Sequence, residues 1–145
     1  MKTLLAAVDF SDASPTIVAH TAELANALAA RVILLHVVEP VASYVPVGSA
    51  MDVIETAPPP IMEQDLAAQK THLDRLAAGL KDVTTVAVIG LAADEIVTQA
   101  QEHGAELIIL GSHGHGALYH LFAGSVVTGV LKRARVPVLV VPTVK

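Results

Sequence analysis

The amino-acid sequence predicts a doubly wound α/β fold, a parallel sheet of five strands with helices on both faces. Three observations carry this reading. Short runs rich in aliphatic and β-branched residues alternate with longer stretches of helical period. Several of the short runs are apolar on consecutive residues, as strands covered on both faces require. The length, 145 residues, suits one hydrophobic core, and the chain reads as a single domain over residues 1–145.

The elements follow in order. Thr3–Asp9 (TLLAAVD) reads as the first strand. Ser11 or Ser14 is placed to cap the first helix, with Pro15 in its opening turn and Ile17, Thr21, Leu24 and Leu28 on one face. Arg31–Val38 (RVILLHVV) is the second strand. Glu39–Pro60 then holds five of the eight prolines and shows no clear period. It reads as a long connection on the ligand side of the sheet, open between a lid, a partner surface and a plain connector. Met62, Leu66, Gln69, Leu73, Leu76 and Leu80 mark a second helix. Val83–Ile89 is the third strand. A helix from about Ala93 stops at Gly104, suited to the position after a helix end. Ala105–Gly111 is the fourth strand, and a last helix runs from near Ser125 to Lys132 and Arg133, cations suited to its C-terminus. Val136–Pro142 (VPVLVVP) closes the sheet.

Composition removes several function classes. Cysteine is absent, so there is no disulfide framework, thiolate metal site or cysteine nucleophile. The formal net charge of −5 argues against nucleic acid as a partner. No apolar run approaches the roughly 18 residues of a membrane span. The opening MKTLLAAVDF is interrupted by Asp9, too early for a signal-peptide core. A soluble cytoplasmic protein is expected.

In open α/β sheets ligands sit beyond the carboxyl ends of the strands, where the strand order reverses. That directs attention to Asp9, Val38–Glu39, Gly90 and the stretch from Gly111. The last of these, GSHGHGALYHLFAGSVV (111–127), passes from a strand through glycines to a helix start. Free amide groups and the helix dipole there suit an anion, and glycine lets the backbone approach a phosphate. The spacing is Gly111, two residues, Gly114, nine residues, Gly124, then Ser125. It is neither a Walker loop, since no Gly-Lys-Ser/Thr occurs, nor the Rossmann glycine fingerprint, whose intervals run the other way. Gly111, Gly114 and Gly124 read as phosphate-binding, whereas Gly116 and Gly129 read as turn and cap residues.

Those residues carry a resemblance. AAVDFSDAS, ILLHVVE, VIG followed by DEIV, ELIILGSHG, GSVV and VPVLVVP occur in the order found in universal stress proteins, along nearly the whole chain. The Gly-x2-Gly-x9-Gly-Ser/Thr spacing resembles that of the ATP-binding members. The resemblance implies a Rossmann-like sheet of order 3-2-1-4-5 and a dimeric stress-response or signalling module whose nucleotide occupancy a partner protein reads. It implies that Asp9 lies beside adenine and ribose with Ala7 on the same wall, and that the Val37 backbone recognises adenine. Gly111, Ser112, His113 and Gly114 would follow the ribose and phosphates, and Gly124, Ser125 and Val126 would hold the outer phosphates. ATP would carry Mg2+ or Mn2+ with it. Two positions depart from the pattern: His115 stands where many relatives have Lys or Arg, and Ala92 replaces a common proline.

No Lys or Arg lies between Lys81 and Lys132, so phosphate charge would fall to amide dipoles, a divalent cation and the imidazole of His113 or His115. Binding with slow or no hydrolysis is expected, and no catalytic residue is assigned. A slow ATPase or self-phosphorylating enzyme, with Ser125 as one acceptor, and a nucleotide-independent interaction module are the alternatives. His113, His115 and His120 could be read as a metal site, but phosphate contact or solvent exposure is the stronger reading. His36 reads as a satisfied core histidine. A hydrolase elbow, Gly-x-Ser-x-Gly, is absent. Pro137 places the last strand at a sheet edge, and a homodimer through Val136–Val141 is expected there.

Overall fold

The computed structural model describes residues 1–40, 43–46, 53–56, 63–112 and 125–143. The elements are β1 (Thr3–Ala7), α1 (Ser14–Leu28), β2 (Arg31–Val38), β3 (Ser43–Pro46), β4 (Val53–Thr56), α2 (Glu63–Leu76), β5 (Val83–Ile89), α3 (Ala92–Glu102), β6 (Leu107–Gly111), α4 (Ser125–Arg133) and β7 (Val138–Val141). A 3-10 turn, Ala77–Gly79, follows α2. Five strands form one sheet in the order β5-β2-β1-β6-β7, and every neighbouring pair is parallel. Counting only those five, the order is 3-2-1-4-5, as expected from the sequence.

The consecutive apolar runs have the predicted cause. Leu4, Leu5 and Ala6 on β1, Val32 to Leu35 on β2, and Ile108 to Leu110 on β6 are all buried. Side chains alternate between two cores. Leu4, Ala6, Val8, Val32 and Leu34 join Ile17 and Val18 of α1 and Leu73 of α2 on one face. Leu5, Ile33, Leu35, Ile108 and Leu110 join Ile96 of α3 and Val127 and Val130 of α4 on the other. β5 and β7 lie at the edges.

Several expectations need correction. The connection after β2 contains β3 and β4, which pair as an antiparallel hairpin with Ser43 opposite Thr56 and Pro46 opposite Val53. Four-residue strands are too short to show a period, and Pro46 sits within one of them. Neither serine caps α1. Its N-cap is Ala13, which makes no side-chain cap bond. Gly129 is neither a turn nor a cap. It lies within α4, where a Cβ would meet the Cβ of Ala93 at 2.7 Å, so it sets how closely α3 and α4 approach. The Asp94–Arg133 ion pair, 2.7 Å, joins the same two helices. Gly104 takes the expected left-handed conformation, φ 62°, one residue past the His103 cap of α3.

This contact yields a stability prediction. Alanine is the better helix former by about 1 kcal/mol, but overpacking costs about 1–3 kcal/mol. Because the obstructing atom is a short, fixed Cβ, overpacking wins at Gly129. Gly129→Ala should lower urea-unfolding stability by about 1 kcal/mol. Gly79, with nothing within 4 Å of its notional Cβ, should gain about 0.4–1 kcal/mol on substitution by alanine. A more stable Gly129→Ala variant would show that the glycine does not set the helix spacing.

Candidate functional site

The strand order reverses between β1, whose chain turns back to β2, and β6. The sheet register says what is level across this gap. Ala7 pairs with Leu35, and Ala6 with Ile109. Continuing both registers brings Asp9 level with Val37 on one side and with Ser112 on the other. The Val8 N–H donates to Leu35 O at 2.9 Å, so the ladder runs one bond past the end of β1. Ala7, Val37 and Val126 come from three elements, and all pack against the core on the α3/α4 face. Ser125 is the exposed first residue of α4. Six of the candidate residues therefore gather at the carboxyl end of the sheet: Ala7, Asp9, Val37, Ser112, Ser125 and Val126. Gly111, the last residue of β6, is a seventh and pairs with Val141 of β7. His113, Gly114 and Gly124 lie outside the described residues, as do Gly116, His115 and His120.

Local chemistry explains how the sequence builds this edge. Asp9 Oδ1 accepts the Ser11 N–H at 3.0 Å, a short-range turn that aspartate makes readily. Between them Phe10 has φ 61°, a left-handed conformation costing about 1–2 kcal/mol outside glycine. Ring contacts offset that cost. Phe10 lies parallel to His72 of α2, with centroids 4.0 Å apart, and tilted on His36 at 4.1 Å. Each such pair contributes about 0.5–1.5 kcal/mol. His36 is half-buried, and its Nδ1 lies 2.8 Å from Val8 O, close enough to donate to it. The expected satisfied histidine is thus a brace between the ends of β1 and β2.

Ser112 has a partner that the sequence did not reveal. Its N–H donates to Val141 O at 2.8 Å, its Oγ accepts the Thr143 N–H at 3.0 Å, and the two hydroxyls lie 3.1 Å apart. The residue after β6 is thereby tied to the residues after β7. Glu39 and Gly90 close the opposite corner. Gly90 N–H donates to Val38 O at 3.1 Å, and Ala92 N–H donates to Glu39 Oε1 at 2.7 Å, placing a carboxylate at the start of α3. A proline at position 92 would lack this N–H, so the departure at Ala92 carries a bond of its own. Short sequence windows could not find the Ser112–Thr143 or Glu39–Ala92 bonds, whose partners are 31 and 53 residues apart.

Among the described residues, no three His, Asp or Glu side chains gather as a metal-binding group, and no helix is long and apolar enough to cross a membrane. The described cations lie away from this edge in the sequence: Lys132 and Arg133 occupy the last turn of α4, and Arg133 is paired with Asp94.

Comparisons with known proteins agree with this architecture. The model of the universal stress protein family matches residues 1–142. A universal stress protein of Thermus aquaticus is 32% identical over 146 residues, covering 97% of this chain and 98% of its own. The universal stress protein MJ0577 of Methanocaldococcus jannaschii is 28% identical over 152 residues, covering 97% and 94%. The solved structure of MJ0577 superposes with a TM-score of 0.73 at 25% identity, over 99% of this chain and 97% of that one. A universal stress protein solved in complex with cAMP shares the fold, with a TM-score of 0.69 at 24% identity over 99% and 98% of the two chains. With the family match, the relatives and the fold agreeing over nearly its full length, the chain belongs to the universal stress protein family.

Proposed function

We propose that this member binds ATP in the crevice between the carboxyl ends of β1 and β6, and that nucleotide occupancy is read by a partner protein. The observation that supports this best is the parallel register of β2, β1 and β6, which, continued past the ends of β1 and β6, sets Asp9 beside Val37 and Ser112. In this reading the Val37 backbone meets adenine, Ala7 forms the wall beneath it, and Asp9 meets the ribose. Gly111, Ser112, His113 and Gly114 follow the ribose and phosphates, with the Ser112 N–H committed to Val141 O and its side chain to Thr143. Gly124, Ser125 and Val126 receive the outer phosphates at the start of α4, where amide groups and the helix dipole favour an anion. Mg2+ or Mn2+ would be held by the phosphate oxygens, since Mg2+ is commonly bound through substrate phosphates with few protein ligands.

Binding, not dedicated catalysis, is the role that the charges favour. Fast phosphoryl transfer uses cationic clamps. Lys132 sits seven residues along α4 from Ser125, roughly 10 Å down the helix axis, at its far end. The molecule would act as a homodimer through the outer edge of β7. Leu139 there is 37% exposed and Leu131 of α4 is 54% exposed, an apolar edge that a second copy would cover.

Four outcomes check this reading. Native mass spectrometry and calorimetry with ATP and magnesium should show one nucleotide per chain, with cAMP tested as a competitor. Gly114→Val and Gly124→Val should each weaken ATP binding at least about tenfold while leaving far-ultraviolet circular dichroism unchanged; full affinity in both would show that the glycine turn does not hold phosphate. Phosphate release should stay near background over hours in the wild type and in Ser125→Ala, and a burst lost only in Ser125→Ala would instead support self-phosphorylation. Sedimentation velocity should show a dimer that Leu139→Lys converts to a monomer; a wild-type monomer at micromolar concentration counts against pairing through β7.

A further inference from the structure

The turn between β1 and α1 holds two hydroxyls that the described residues leave without a bond. The Oγ atoms of Ser11 and Ser14 are buried and have no hydrogen-bond partner among the described residues. Ser14 is 1% exposed. A buried hydroxyl without a partner is costly, so such a group is ordinarily satisfied by water or by a ligand. Ser14 is the first residue of α1, and helical side chains tilt toward the helix N-terminus. Its hydroxyl therefore lies at the mouth of the helix, on the buried side it shares with Ile17, Val18 and Thr21. The N-cap Ala13 makes no side-chain cap bond and the first turn contains no acidic residue. The Ser14 N–H donates to Ser11 O at 3.0 Å and Pro15 has no N–H, so the helix end acts here through its dipole and the two hydroxyls. Two O–H donors thus lie at the positive end of a 15-residue helix, where the described residues give them no acceptor.

The position suits a ligand. α1 packs on one face of the sheet and α4 on the other. Both begin at the carboxyl edge, so the gap between β1 and β6 has a helix N-terminus on each side. Asp9 and Asp12 oppose an anion here. The first has an oxygen engaged by the Ser11 N–H, and the second is exposed, where water and salt screen it.

We propose that Ser11, Ser14 and the N-terminus of α1 form a second oxyanion site, which takes a phosphoryl group. The source is either the terminal phosphate of the nucleotide or a free phosphate, and only the first rests on the nucleotide reading above.

Calorimetric unfolding and titration test this with the wild type, Ser11→Ala and Ser14→Ala, each against inorganic phosphate, ATP with magnesium, and adenosine. In phosphate-free buffer both variants should melt at or above the wild-type Tm, because alanine removes an unpaired buried hydroxyl. Phosphate should raise the wild-type Tm, and both variants should lose that rise, with binding about tenfold weaker. ATP affinity falling in the variants while adenosine affinity holds assigns the site to the nucleotide tail. A response to phosphate alone assigns it to the free ion, and if the wild type then binds neither ATP nor adenosine, the nucleotide reading fails while this site stands. Equal phosphate- and ATP-dependent rises in wild type and variants overturn the proposal, leaving the hydroxyls to an ordered water. It is also overturned if neither phosphate nor ATP stabilises the wild type, if the variants melt lower without phosphate, or if adenosine weakens as much as ATP.

Discussion

Burial of β1 on both faces is the constraint on which the rest of this structure depends. Leu4 and Leu5 are each no more than 1% exposed, yet they point to opposite cores. Truncating either to alanine is the kind of change that costs about 2–5 kcal/mol. A strand held from both sides cannot slip by one residue without exchanging its two sets of side chains, so its register against β2 and β6 is fixed. The register in turn brings Asp9 level with Val37 and Ser112. The candidate site is thus a consequence of packing several residues away from it. That separation lets the edge carry a strained Phe10 and two serine hydroxyls without partners among the described residues, without loosening the core.

How much of this could be read in the sequence depends on how local each cause is. β2 and β5 were legible to the residue because RVILLHVV and VTTVAVI are continuous runs with clear ends. β1 and β6 came out two residues shorter at one end than their apolar runs suggested, and β7 shorter at both ends. The hairpin β3–β4 escaped because SYVP and VIET are too short to display a period. Gly129 was misassigned because a helix interior glycine is explained by the helix it touches, and Ala93 lies 36 positions earlier in the chain.

The candidate site divides the same way. Asp9, Val37 and Gly111 are legible because the end of a parallel strand is where such folds present ligands, and a strand end is a local feature. The serines show the limit of that logic. Ser11 and Ser14 look like caps in sequence, since Ser before an apolar stripe with Pro15 behind it is a common helix start. The Asp9–Ser11 turn and the left-handed Phe10 shift the entry of the chain, so Ala13 takes the cap position and both hydroxyls are left inside. One stacked aromatic ring, held by His36 and His72 from β2 and α2, thereby decides what the start of α1 can offer.

Charge separates the helix starts at this edge. α3 has Asp94 and Glu95 in its first turn, and Glu39 supplies a further carboxylate to the Ala92 N–H. Its positive end is already met from within the chain. α1 and α4 have no acid in their first turns. These are the two helices on either side of the gap where the strand order reverses, whereas α3 follows the outer strand β5. A helix dipole is equivalent to about half a charge at each end and acts over roughly one turn. The carboxylates within first turns therefore sit at the start that lies away from the crevice, and the two starts beside it have none. With a net charge of −5 the molecule as a whole repels anions. Any anion it does hold must be held by short-range amide and hydroxyl donors, and such contacts are far less sensitive to salt than surface ion pairs.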